Sequence, residues 1–269
     1  MNWIKVGGYI LIIVPALFTG IVLTMYLLQD YMIFLSESLP KNYQYKFNKP
    51  FEEYTFQHKE GHEINALFFQ SDAKKGLVYY QHGNAGNLQG WGTLAENFLN
   101  NGFDVLFYDY RGYGKSTGRI RHEHQLHNDA EFVLSEFLRD KQFEKLVIYG
   151  NSLGTGIAAK LAVKIQPNAL ILETPYYSFS DLIKHHYPFL PARILSKYKL
   201  RTHKFVKELQ IPILILHGTA DDVVPYNCSE KLKALSDNIE LITIRGGVHN
   251  NLPNFKLFQQ SLKSFLDKQ

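Results

Sequence analysis

A serine framed by two glycines, Gly150-Asn151-Ser152-Leu153-Gly154, is the group in this chain best suited to do chemistry. A serine hydroxyl is a weak nucleophile until the backbone presents it sharply and a neighbouring base takes its proton. The G-x-S-x-G spacing meets the first need, because glycines let a strand and a helix crowd around a strained turn. For the second need, imidazoles stand at His82, His217 and His249, and carboxylates at Asp221 and Asp222. His82 and His217 each precede a glycine at the end of an apolar run, a place where an imidazole ties loops together. His249 instead follows Gly246-Gly247, in a loop that must bring its ring over a serine. It is the candidate base.

Such a serine has to be held between a strand and a helix. Leu146-Val147-Ile148-Tyr149 runs directly into the glycine turn, and an Ala- and Leu-rich stretch leaves it. Similar short runs are Tyr54-Thr55-Phe56, Ile64 to Phe69, Leu77-Val78-Tyr79-Tyr80 and Val105-Leu106-Phe107-Tyr108. Ala169-Leu170-Ile171-Leu172, Ile213-Leu214-Ile215-Leu216 and Leu241-Ile242-Thr243-Ile244 complete the set. The later runs alternate with helical stretches at 91–100, 129–139 and 154–165, which predicts βα units and a mostly parallel sheet buried on both faces. Chemistry in such sheets collects at the carboxyl ends of the strands. The loops there are the distinctive ones: residues 82–87, 109–116, the Ser152 turn, 217–225 and 246–249.

Taken together, the G-N-S-L-G turn, the H-G-N-A-G-N and D-Y-R-G-Y-G-K-S loops, H-G-T-A-D-D-V-V-P and G-G-V-H-N resemble an α/β-hydrolase-fold serine hydrolase. The likeness spans roughly residues 52–268 and leans to a membrane-anchored subgroup of protein depalmitoylases, lysophospholipases and monoacylglycerol lipases. It implies an α/β-hydrolase fold: a mostly parallel eight-stranded sheet with helices on both faces and a short cap. The family order of nucleophile, acid and histidine implies catalytic roles for Ser152, Asp221 and His249. The H-G-x-x-D-x-x-V-P pattern selects Asp221 over the adjacent Asp222. An oxyanion hole would use the backbone N–H of Leu153 and one from residues 82–87, at Asn84 or Ala85. The insertion at 176–211 would be the cap, with Tyr176, Tyr177 and Phe189 as aromatic substrate contacts, and its shortness implies an open groove. A serine aminopeptidase-like amide hydrolase is the alternative on the same fold, and a non-catalytic binding module is a more distant one.

The first 30 residues are different material. No charge occurs from residue 6 to residue 29, a stretch about 36 Å long as a helix, against a hydrocarbon core of ~30 Å. It is longer than the apolar core of a signal peptide and no small-x-small cleavage site follows it. The expectation is an uncleaved single-pass anchor over 1–30, a juxtamembrane linker over 31–50 and a catalytic domain over 51–269. Basic residues on the two sides of the span nearly tie, leaving its orientation open with a small bias toward export. One cysteine, Cys228, excludes an internal disulfide. A net charge of +4 is too mild for nucleic-acid binding. The His122-Glu123-His124-Gln125-Leu126-His127 run lacks a carboxylate where a dinuclear metal pattern needs one, and 111–116 lacks P-loop spacing. The expected partners are an acyl ester or thioester and a lipid bilayer, with no cofactor, no metal and no nucleic acid.

Overall fold

The computed structural model describes residues 3–269. It opens with α1 (Trp3–Ile33), of which Leu11–Ile33 reaches a mean hydropathy of 2.4. That length and apolarity suit a membrane anchor or a signal sequence. The strands are β1 (Leu35–Ser36), β2 (Phe51–Gln57), β3 (Glu63–Phe69), β4 (Gly76–Gln81), β5 (Ala85–Gly86), β6 (Phe103–Tyr108), β7 (Leu146–Asn151), β8 (Ala169–Glu173), β9 (Ile213–Gly218) and β10 (Ile239–Ile244). The remaining helices are α2 (Leu88–Trp91), α3 (Glu96–Leu99), α4 (Glu123–Phe137), α5 (Gly154–Ile165), α6 (Phe179–His186), α7 (Ala192–Leu195), α8 (Thr202–Glu208), α9 (Asn227–Lys233) and α10 (Lys256–Leu266).

Eight of the strands form one sheet in the order β10-β9-β8-β7-β4-β6-β3-β2. β3 runs opposite to the other seven strands, pairing antiparallel with β2 and β6. Every residue of β4, β6, β8 and β9 is buried. Alternate side chains leave a strand on opposite faces, and here they feed two cores. Tyr79 packs with Val133, Ile157 and Val206 from α4, α5 and α8, while Val78 and Tyr80 pack with Phe258 and Leu262 from α10. A strand covered on both faces has no polar side to show, which is why these segments read as unbroken apolar runs.

All eight runs marked in the sequence are strands of this sheet, and the helix at 154–165 is α5. Two helices differ from expectation. α4 begins at Glu123, not at 129, because Gln125 Oε1 accepts from the backbone N–H groups of Arg121 (2.8 Å) and His122 (3.1 Å) and so caps the first turn. The stretch 91–100 is α2, a 3-10 turn at Gly92–Ala95 and then α3. The Phe47 ring stands so near Gly92 that any side chain there would collide with it. Segment 31–50 is laid along the body built on the sheet. β1 pairs parallel with β5, Leu39 N–H donates to the Gly114 carbonyl (2.7 Å), and the buried Tyr45 donates its hydroxyl to Asn65 Oδ1 (2.9 Å).

The segment 176–211, expected from the sequence to be the cap, holds α6, α7 and α8, and Glu123 at the start of α4 fastens it. Glu123 Oε2 accepts from the backbone N–H groups of Lys199 (2.6 Å) and Leu200 (3.2 Å). Burial pushes this carboxyl up, but the hydrogen bond from His127 and the two backbone N–H groups outweigh it and bring the pKa down to about 2 from 4.5. A carboxylate with a depressed folded pKa stabilises above its unfolded value and loses that contribution as pH falls through the folded one. Glu123→Gln should therefore melt below wild type at pH 7. The gap should narrow as pH drops from 4.5 toward 2; a constant gap in thermal unfolding across that window would contradict the carboxylate's role.

Candidate active site

The strand-to-helix turn is forced by crowding. A side-chain carbon on Gly154 would overlap the Gln81 carbonyl oxygen of β4, and one on Gly150 would lie 2.7 Å from Ala158 Cβ. Without those glycines α5 could not start so close to the sheet. The bend puts Ser152 at φ +48°, a left-handed conformation that a serine rarely holds. Its ends are fixed, since Ser152 N–H donates to the Glu173 carbonyl (2.9 Å) and Ser152 C=O accepts from Thr155 N–H (3.0 Å) and Oγ1 (2.7 Å).

The loops after β9 and β10 carry the partners. A side-chain carbon on Gly218 would overlap the Gly247 carbonyl oxygen, and Ala220 N–H donates to that same oxygen (2.9 Å). The two loops are thereby clamped together. Ser152 Oγ lies 2.9 Å from His249 Nε2, and His249 Nδ1 lies 2.8 Å from Asp221 Oδ2. Asp221 Oδ1 accepts from Val223 N–H (2.9 Å) and Val224 N–H (2.8 Å). Burial pushes the Asp221 carboxyl up, but hydrogen bonds from His217 and His249 and the Val224 N–H hold it well below the usual carboxylate range. It stays ionised and fixes the proton on Nδ1, leaving Nε2 free to accept. Asp222 is exposed.

The other two histidines are fully buried. His217 is buried, with Nδ1 2.6 Å from Ser229 Oγ and Nε2 3.0 Å from the Val224 carbonyl. His82 is buried between Trp91 and Tyr110, and desolvation pushes its pKa down to about 3.

A largely apolar cavity of about 270 Å³ opens at Ser152, with Leu153 and Asn84 on its border. Asn84 C=O accepts from Leu35 N–H (3.0 Å) and Tyr113 hydroxyl (2.8 Å), and its side chain donates to Ile33 C=O (3.0 Å). Ala85 borders a separate groove beside His249. Of the three expected aromatic contacts, Tyr176 lines the cavity and donates its hydroxyl to the Leu153 carbonyl (3.0 Å). Tyr177 is stacked on His203, and Phe189 is exposed beside Tyr187; neither is in the cavity wall. The groove inferred from a short cap is walled on one side by α1, whose residues up to 30 the sequence assigns to a membrane anchor.

Glu173 also stands at the site and was missed in the sequence. It ends β8, is buried, accepts from the Tyr149 hydroxyl (2.6 Å) and borders the groove at His249. Desolvation raises its pKa. Its only sequence signal is a carboxylate closing an apolar run. His58, His62 and Asp129 bring potential metal-ligating atoms within 4.8 Å of one another. The Asp129 carboxylate is already held by Arg111, through Nε (2.6 Å) and Nη2 (2.8 Å), so a guanidinium supplies the positive charge a cation would bring. None of the three borders the cavity at Ser152.

The chain matches the serine aminopeptidase S33 family over residues 72–204. It is 31% identical over 216 residues to an uncharacterized protein of Mycobacterium tuberculosis, covering 77% of this chain and 76% of that one. It overlays the Pyrococcus furiosus esterase Pf2001 with a TM-score of 0.70 at 14% identity, covering 87% of this chain and 97% of the esterase. The chain belongs to the α/β-hydrolase family. This α/β-hydrolase is also 33% identical over 180 residues to the lysophosphatidylserine lipase ABHD12 of Danio rerio, which is 60% of this chain and 47% of that protein.

Gly154→Ala sets a methyl group against backbone that cannot rotate away, and should cost at least the ~1–3 kcal/mol typical of overpacking. A urea midpoint equal to wild type would show that α5 can retreat from β4.

Proposed function

We propose that this α/β-hydrolase is a membrane-anchored serine hydrolase that cleaves carboxylic esters or thioesters of acylated lipids or proteins. The observation that carries the reading is the unbroken chain from Ser152 Oγ through His249 to the ionised Asp221, opening onto an apolar cavity. In this mechanism Ser152 Oγ attacks the acyl carbon while His249 Nε2 takes its proton. The tetrahedral oxyanion is met by the backbone N–H of Leu153 and that of Asn84, which borders the same cavity, in preference to Ala85. The intermediate collapses, the bond to the leaving oxygen or sulfur breaks, and His249 returns the proton to it. Water, deprotonated by the same imidazole, then releases the acid and restores Ser152.

Three findings support the substrate class. The apolar lining suits a hydrocarbon chain better than a charged amino terminus, which favours ester over aminopeptidase chemistry despite the name of the matching family. The length and apolarity of α1 agree with an anchor that holds the enzyme where acyl esters concentrate. A lysophosphatidylserine lipase among the relatives points the same way.

Full-length protein should be labelled covalently by a fluorophosphonate probe, and Ser152→Ala should abolish labelling. Turnover of acyl esters should fall roughly a million-fold in Ser152→Ala or His249→Ala and about ten-thousand-fold in Asp221→Asn. His124→Ala, on the exposed face of α4, should match wild type. Labelling that survives in Ser152→Ala, or faster hydrolysis of aminoacyl-nitroanilides than of p-nitrophenyl esters, would overturn the proposal.

A further inference from the structure

We infer that the last three turns of α1 are a wall of the acyl-chain site, so that the substrate's hydrocarbon chain reaches Ser152 sideways, along the helix and beneath the cap. This rests on the reading of Ser152 as nucleophile.

Burial along α1 follows a helical period. Val22, Met25 and Gln29 are half-buried and Ile33 is buried, whereas Leu23, Leu27 and Leu28 between them are exposed. Spacings of three and four residues put the first set on one face. That face lines the cavity that opens at Ser152, and Phe179, Leu182 and Leu190 of the cap line it opposite. From Ile33 to Val22 the wall extends about 16 Å at 1.5 Å per residue, the reach of a long acyl chain and far more than an acetyl group needs.

The helix is fastened where the cavity needs it. Gln29 Nε2 donates to the Leu195 carbonyl (2.8 Å), while Gln29 Oε1 accepts from Lys197 N–H (2.9 Å). Tyr198 donates its hydroxyl to Asp30 Oδ1 (2.8 Å), and its ring meets Phe34 edge-on at 4.9 Å. These contacts use both hydrogen-bonding ends of one amide and pin α1 to the cap at the C-terminal end of α7. One helix therefore shows apolar side chains outward for lipid and inward for the cavity. A chain passing between the two never has to cross water, which removes the hydration cost of drawing it from a bilayer.

The test uses full-length protein in mixed micelles, with p-nitrophenyl butyrate and p-nitrophenyl palmitate as probes. Met25→Trp fills the cavity from the α1 side and Met25→Ala enlarges it; Leu23→Trp places the same bulk on the outward face. The readout is the palmitate-to-butyrate ratio of kcat/KM. Met25→Trp should lower that ratio at least about tenfold, in the range one misfit methylene commands in an apolar pocket. Met25→Ala should shift it the other way, and Leu23→Trp should leave it unchanged. If Met25→Trp proves unstable, the Met25→Ala shift alone decides. An unchanged ratio in both Met25 variants, or an equal change in Leu23→Trp, overturns the inference. Wild-type protein that fails to label at Ser152 would strike the hydrolase reading itself, an outcome separable from an unaltered ratio in an active enzyme.

Discussion

The contact on which this structure turns is the near-collision between the start of α5 and the end of β4. Gly154 sits so close to the Gln81 carbonyl that no side chain fits, and Gly150 is equally confined against Ala158. Because the helix begins inside the edge of the sheet, the residue between the two must turn left-handed, and Ser152 does so. Strain of this kind costs of order 1–3 kcal/mol and persists only when the surroundings over-determine it. Here they do, through three hydrogen bonds to the Ser152 backbone and two buried cores that fix β4 and β7 as neighbours.

Everything opposite that turn is built to meet it without rearrangement. The loops after β9 and β10 interlock at Gly218 and Gly247, so the carboxylate and the imidazole arrive as one unit. Two backbone N–H groups keep Asp221 aimed while His217 braces it from behind, at 3.2 Å from Oδ2. A charge that is solvated by fixed donors needs no water to reorganise when the neighbouring imidazole becomes cationic. The burial that would otherwise neutralise Asp221 is offset by groups already in place.

Much of this was legible in the residues, for identifiable reasons. Strands covered on both faces leave continuous apolar runs, so Leu77-Val78-Tyr79-Tyr80 and Ile213-Leu214-Ile215-Leu216 could be located from composition. Ser152, Asp221 and His249 stand in loops whose glycines and order mark them. What stayed hidden depended on contacts between distant segments. Gln125 caps α4 from inside the helix, a contact that no residue pattern marks, so the helix begins at Glu123 and not at the expected residue 129. Tyr177 and Phe189 carry the right chemistry for a cavity wall, yet stacking on His203 and exposure beside Tyr187 turn them elsewhere. Val22 and Met25 were invisible for the opposite reason, since a helix apolar all round gives no hint of which face meets protein.

The pairing of β1 with β5 has a mechanical consequence. α1 ends at Ile33 and β1 begins at Leu35, leaving a single residue between a long helix and the loop that borders the serine. Asn84 closes even that gap by gripping the Ile33 carbonyl. A joint so short acts as a weld and not a swivel: the tilt of the last turns of α1 sets the attitude of the whole α/β-hydrolase body. Whatever surface receives α1 meets the same face of the enzyme at each encounter, with the cavity mouth at one fixed height above it.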